Sequence, residues 1–329
     1  MFRQMFKPLI AISLALVSFA ALAEPVVIKF SHVVAEDTPK GRGALLFQKR
    51  VAERLGDKVR VEVYPNSSLY GDDEELEALI RGDVQMLAPS LSKFDRYTRE
   101  LQVFDLPFLF DDLAAVQRFQ SRDSGVRLLG ALSNQGITGL AFWNNGMKQL
   151  SANKSLKLPA DAKGLTFRIQ ASDMLVEQFE MVGATGVKMP FSESFRALQS
   201  GQVQGTENTW SNYYSQKLNT VQPHISETNH GVLSYMLLID TKFWNGLPFK
   251  VRSELQSIAD EVTASVNRDA EAINAKNREM IVASGSSTVV TLDAQQIKAW
   301  REAMQPLLKR HESDIGASVI RAAQTVNRR

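Results

Sequence analysis

The chain of 329 residues contains no cysteine, which excludes disulfides, thiolate catalysis and cysteine-ligated zinc. Histidine is scarce: His32, His224, His230 and His311 stand far apart, without metal-ligand spacing. There is no phosphate-cradling glycine-rich loop and no Gly-x-Ser-x-Gly elbow, so nucleotide chemistry and the common hydrolase nucleophile have no signature here. Beyond residue 23 no apolar stretch approaches the roughly 20 residues of a membrane span, and the mature chain is expected to be soluble.

Residues 1–23 have Arg3 and Lys7 ahead of an apolar run from Leu9 that closes on Ala21-Leu22-Ala23. This is the layout of a secretory signal peptide cleaved before Glu24, with a retained N-terminal anchor as the alternative. The segment holds two of the 38 basic residues and none of the 36 acidic ones, which leaves 36 of each in the mature chain. A neutral exported protein is a poor partner for nucleic acid or for an anionic membrane surface. With about 300 residues at 44% hydrophobic composition it can build an ordinary core, and the length suggests two domains.

After the signal, strand and helix alternate. Residues 26–33 read as a strand, and 38–56 as a helix with Thr38 as N-cap, Pro39 first and Gly56 as the stop. Strand 58–65, helix 71–82 and strand 84–90 follow. The pattern returns as strand 165–170, helix 172–183, strand 186–191, helix 192–201 and strand 203–208. The echo is partly literal, ALIRGDVQ (78–85) against ALQSGQVQ (197–204). Such alternation favours two α/β domains, each with a mostly parallel sheet flanked by helices. From Pro248 to Gly285 apolar residues recur at helical spacing without an internal Gly or Pro. One helix spanning both domains is expected, two helices broken near Asn267 being the alternative. A further amphipathic helix from Asp293, kinked at Pro306, ends the chain.

GLTFRIQAS (164–172) places Arg168 inside an apolar strand. An edge strand with one wet face would explain it. Ligands of open α/β sheets, however, gather beyond the carboxyl ends of the strands. Here those ends are Ser31-His32, Pro89-Ser90, Arg168 to Ala171 and Glu207-Asn208. Two facing domains would bring them together, with the helix N-termini at Thr38 and Ser172 favouring an anion. The acidic cluster Asp72, Asp73, Glu74 and Glu75 is explained by the helix dipole rather than by a metal.

GLTFRIQAS, FSESFRALQSGQVQGTEN and the long helix together resemble the substrate-binding subunits of tripartite ATP-independent periplasmic (TRAP) transporters, over nearly the whole mature chain. SHVVAEDTPKG, NNGMKQLSANK and ENTWSNYYSQK look most like the C4-dicarboxylate-binding branch. The resemblance implies a two-domain periplasmic binding protein fold. Domain I would cover 24–145 with about 233–265 returning to it, and domain II 146–232 with about 266–329 completing it and packing across both. It also implies that Arg168 grips a substrate carboxylate, that Asn208 assists and that Phe191 packs against the ligand. Sialic-acid-binding members carry a second arginine where this chain has Lys148, and a glutamate where it has Pro89. Both departures favour a small dicarboxylate such as succinate, fumarate or malate. The second carboxylate would need Lys40 or Lys148, with Ser90, Trp210 and Asn212 as further candidates. The expectation is a monomeric periplasmic binding protein without cofactor or metal, closing about its interdomain crossings and delivering an organic acid to TRAP membrane subunits. An exported enzyme acting on such an acid is the alternative, and the cleft positions offer it no acid–base pair or nucleophile. A ligand-dependent partner of a membrane sensor is a third reading.

Overall fold

The computed structural model describes residues 24–327, so the expected signal segment lies outside the described residues. Nine strands form one sheet: β1 (Val26–Ser31), β2 (Val59–Tyr64), β3 (Met86–Leu87), β4 (Ile137–Ala152), β5 (Thr166–Ile169), β6 (Thr185–Lys188), β7 (Gly205–Asn208), β8 (His224–Asp240) and β9 (Thr288–Val290). Their order is β2-β1-β3-β8-β4-β7-β5-β6, with β9 beside β8. The parallel sets β2-β1-β3 and β6-β5-β7 belong to the two lobes and are mirrored about the long antiparallel pair β4–β8. The two sheets expected from the repeat are therefore one continuous sheet.

The sequence echo has a physical basis. Gly82 and Gly201 end their helices in the left-handed conformation, at φ of 80° and 76°, which glycine adopts without a Cβ penalty. Gln85 then accepts from the Lys29 amide and donates to the Gly82 carbonyl, each at 3.0 Å. Gln204 repeats this with Thr166 and Gly201, again at 3.0 Å. Each glutamine ties the end of a helix to the neighbouring strand, at Lys29 of β1 and at Thr166 of β5.

Thr38 accepts from the Gly41 amide and starts the helix Pro39–Leu55, whose Ala44, Phe47 and Val51 pack on Ile28 and Phe30 of β1. The helix expected over 71–82 is shorter, Glu75–Arg81, because Asp72 and Asp73 stay in the preceding turn. Strand β3 shrinks to two residues, since Pro89 has no amide to continue the ladder.

The long helix is continuous from Phe249 to Ser284, 36 residues, or about 54 Å at 1.5 Å per residue. Val251 to Val266 pack into the first-lobe core with Trp143, and Ile281 packs beside Trp210 and Tyr213 in the second. No break occurs at Asn267, whose side chain docks on β4 by accepting from the Asn144 amide (2.8 Å) and donating to the Phe142 carbonyl (2.9 Å). Asn274 likewise donates to the Asn145 carbonyl (2.6 Å) and accepts from the Ser211 amide (3.0 Å). A Cβ on Gly146 would stand 2.9 Å from its Nδ2, so glycine there permits the approach. Asn274→Ala should cost about 1–3 kcal/mol for each of the two groups it strands, to be read from urea denaturation.

After a capping box of Asp293 and Gln296, the C-terminal chain forms the helix Ala294–Met304. Pro306 starts a separate helix rather than a kink, and Gly316, at φ 99°, turns the chain into the last one, Ala317–Gln324. Trp300 and Met304 fill the second lobe, whereas Ile315, Val319, Ile320 and Ala323 pack into a core of the first. No helix of the described residues is long and apolar enough to cross a membrane.

Candidate anion-binding cavity

Strands β1, β3, β5 and β7 all point their carboxyl ends at the gap between the lobes, where a cavity of about 150 Å³ lies. Cross-lobe hydrogen bonds close it. Gln170 donates to Ser90 Oγ (2.7 Å), the Asp173 amide to Asp95 (2.7 Å), Ser172 Oγ to Asp105 (2.9 Å) and the Phe191 amide to Asp72. One amide at each expected helix N-terminus is thus already bonded within the protein. The Gly41 amide is satisfied by Thr38, and the Asp173 amide by a carboxylate of the opposite lobe.

Arg168 does not sit on a wet edge. Strand β5 lies between β6 and β7, and Phe167, Arg168 and Ile169 are all buried. Its Nε donates to the Met189 carbonyl (2.9 Å), its guanidinium carbon lies 5.5 Å from the centre of the Phe191 ring, and the group lines the cavity. Burial pulls its pKa below the ordinary arginine value, against the fields of Asp72 and Glu207. No carboxylate of the described residues forms an ion pair with it.

Asn208 is held by its oxygen, which accepts from Asn212 (2.8 Å) and from the Thr209 amide (3.0 Å). Its Nδ2 makes no hydrogen bond within the described residues and remains a donor at the cavity wall. Ser90, Asn212, Lys40 and Lys148 also line the cavity. Trp210 does not: the helix Trp210–Ser215 turns it into the core beside Tyr213, under Arg278, while Asn212 faces the cavity. His32 also lies outside the lining, fully buried, and burial followed by the charge of Lys40 holds its pKa near 3.

Lys148 differs from the expectation of a substrate-facing cation. Its ammonium is 2.8 Å from Glu207, whose other oxygen is 2.9 Å from His230 Nε2, and Thr228 holds His230 Nδ1 at 2.7 Å. Burial would raise the Glu207 pKa, but Lys148 and the bond from His230 hold it at about 2. The acidic cluster, too, is more than a complement to a helix dipole. Asp72 and Glu75 are turned inward, both paired with Lys93. Burial of Asp72 is outweighed by Lys93 and Arg168, and its pKa falls to about 2. The residues that sequence reading missed, Lys93 and Tyr235, carry no local signal, because their partners are distant in the chain.

Depressed carboxylates stabilise the fold above their unfolded pKa and lose that contribution as pH falls through the folded value. For Glu207 and Asp72 the window runs from 4.5 and 3.8, respectively, down to about 2. Asp105 acts in the opposite sense. Burial raises it to about 6, so stability rises modestly as pH drops from there toward 3.8. Buried His32, at about 3 against 6.5 unfolded, and His230, also lowered by burial, lose stability as pH falls below about 6.5, because the unfolded chain takes up those protons first. Urea denaturation measured against pH should therefore decline from about pH 6.5, partly offset by Asp105, and fall more steeply below about 4.5.

Comparison with known proteins follows the same lines. The family profile of DctP, bacterial extracellular solute-binding protein family 7, matches residues 30–314. The C4-dicarboxylate-binding periplasmic protein DctP of Vibrio cholerae is 48% identical over 333 aligned residues, covering 99% of this chain and all of that one. A TRAP periplasmic solute-binding protein from Shewanella oneidensis, with bound succinate, superposes with a TM-score of 0.91 at 51% identity, over 92% of this chain and 100% of that one. A second, from Pseudomonas aeruginosa with bound L-malate, gives 0.86 at 60% identity, over 87% of this chain and 100% of its own.

Proposed function

The chain belongs to bacterial extracellular solute-binding protein family 7, a family of binding proteins rather than enzymes, and from this we propose that it captures a C4-dicarboxylate in the cavity between its lobes. In this reading it works in the periplasm and hands the acid to TRAP-type membrane subunits.

The carrying observation is Arg168, a buried cation lining the cavity between the lobes, with no carboxylate of the described residues in ion-pair contact with it. A small carboxylate offers little apolar area, so its affinity has to come from charge-assisted hydrogen bonds shielded from water. The planar guanidinium fork suits both oxygens of one carboxylate and stays charged when buried. Asn208 adds a neutral donor, and the Phe191 ring excludes water beside the pair. Opening and closing would be accommodated where β4 and β8 cross between lobes. The register shift between Asn144 and Gly146 falls there, opposite Leu233 and Ser234, and we place the domain boundaries at 145/146 and 232/233.

Relatives bound to succinate and L-malate support this ligand class. A thermal-shift screen over succinate, fumarate, L-malate and monocarboxylates tests it, since a ligand at 100 times its Kd adds about 2.7 kcal/mol to folded-state stability. Saturable stabilisation by a C4-dicarboxylate, with the acid recovered unchanged by NMR, is the expected result. No stabilisation by any of the three would refute the reading.

A further inference from the structure

Five cationic side chains line the cavity: Lys40, Lys93, Lys148, Arg168 and Lys188. Three are neutralised by the protein itself. Lys93 is clasped by Asp72 and Glu75, Lys148 by Glu207, and Lys188 pairs with Asp173 at the exposed rim. Lys40 and Arg168 alone among these five have no carboxylate partner within the described residues. Both are almost fully buried, 1% and 3% exposed. Asp72 and Glu75 together outweigh Lys93 and lend a partial field to both free cations without contacting either. Two buried cations that touch no carboxylate, in one small cavity, offer one charged donor to each end of a dicarboxylate.

Resting on the reading of the cavity as a dicarboxylate site, we propose that Lys40 grips the second carboxylate and is the residue by which the protein distinguishes a dianion from a monoanion. Lys148, the other cation nominated by sequence, is silenced by Glu207. The Lys40 ammonium donates to the Ala88 carbonyl at 2.9 Å and stands 3.9 Å from the centre of the Tyr235 ring. These contacts aim the group yet leave a third N–H for a ligand. Neither contact is a carboxylate, so a ligand carboxylate would be the first anion to touch the Lys40 ammonium.

Burial lowers the Lys40 pKa to about 7, with Glu75 opposing, Lys93 reinforcing and Asp72 opposing. The remaining titratable groups around it, His32 and Tyr235, are neutral in this range, at about 3 and about 12. A carboxylate arriving at Lys40 favours the ammonium and draws a proton onto it.

The test compares succinate with succinamate, which has the same length and one carboxylate replaced by an amide. Calorimetry on the wild type should show succinate binding about 30- to 1,000-fold more tightly, the range for a buried charge-paired hydrogen bond. In Lys40→Met the preference should shrink to a few-fold, through loss of succinate affinity with little change for succinamate, and Lys40→Arg should restore part of it. Equal wild-type affinities for the two ligands, or an undiminished preference in Lys40→Met, overturns the proposal. A wild type that binds neither instead refutes the dicarboxylate reading itself. Should the variant fail to fold, the wild type alone decides. In buffers of differing ionisation enthalpy at about pH 8, between the Lys40 value and that of an ordinary lysine, succinate should bind with proton uptake and succinamate without it. Equal uptake for both ligands overturns the proposal.

Discussion

Arg168→Ala is expected to weaken C4-dicarboxylate binding by about two to four decades, the equivalent of about 3–5 kcal/mol for breaking a buried charge pair. Arg168→Lys should recover little, because a single ammonium cannot replace a planar fork that also holds the Met189 carbonyl. The same variant should behave differently without ligand. Arg168 is buried with no ion-pair partner among the described residues, so removing it relieves a desolvation cost. Ligand-free Arg168→Ala should therefore lose much less stability toward urea than it loses ligand affinity, because the relieved desolvation offsets the lost Met189 bond and the lost field at Asp72. Calorimetry and denaturation on one preparation check both halves. Binding within a few-fold of wild type would show that the anchor lies elsewhere.

Lys148→Met is expected to have its large effect on stability. Glu207 and Lys148 are both almost fully buried and 2.8 Å apart. Methionine fills the volume of the lysine stem but leaves Glu207 ionised in the interior, with only His230 beside it. The loss should be about 3–5 kcal/mol by urea denaturation, and Lys148→Met combined with Glu207→Gln should recover much of it, since the stranded charge is then gone. If Lys148→Met instead folds with wild-type stability and loses succinate affinity, then Lys148 rather than Lys40 meets the second carboxylate. The two lysines thus give opposite signatures, one in stability and one in ligand preference.

Much of the fold was legible because it rests on local signals. Thr38 and Pro39 at a helix start, Gly82 and Gly201 at helix ends, and the unbroken apolar stripe of Phe249–Ser284 each act within a few residues of themselves. The central pair β4–β8 was not legible as strands. Both are buried on two faces over most of their length, which erases the polar alternation that marks a strand, and register shifts on β4 break the phase that remains. Missing that pair turned one continuous sheet into an expectation of two.

The same division runs through the site. From the amino-acid order alone came the α/β chain with a duplicated strand-helix unit, the expectation of export, the arginine embedded in an apolar strand and the set of polar residues at strand ends. Which of those residues remain available to a ligand was decided by tertiary structure. Lys148 and Glu207 lie 59 positions apart, and Lys93 and Glu75 lie 18 apart. Trp210 and Asn212, two positions apart on one short helix, face opposite ways. Neutralisation of a buried charge depends on which groups packing brings within a few ångströms, and spacing along the chain does not encode that distance.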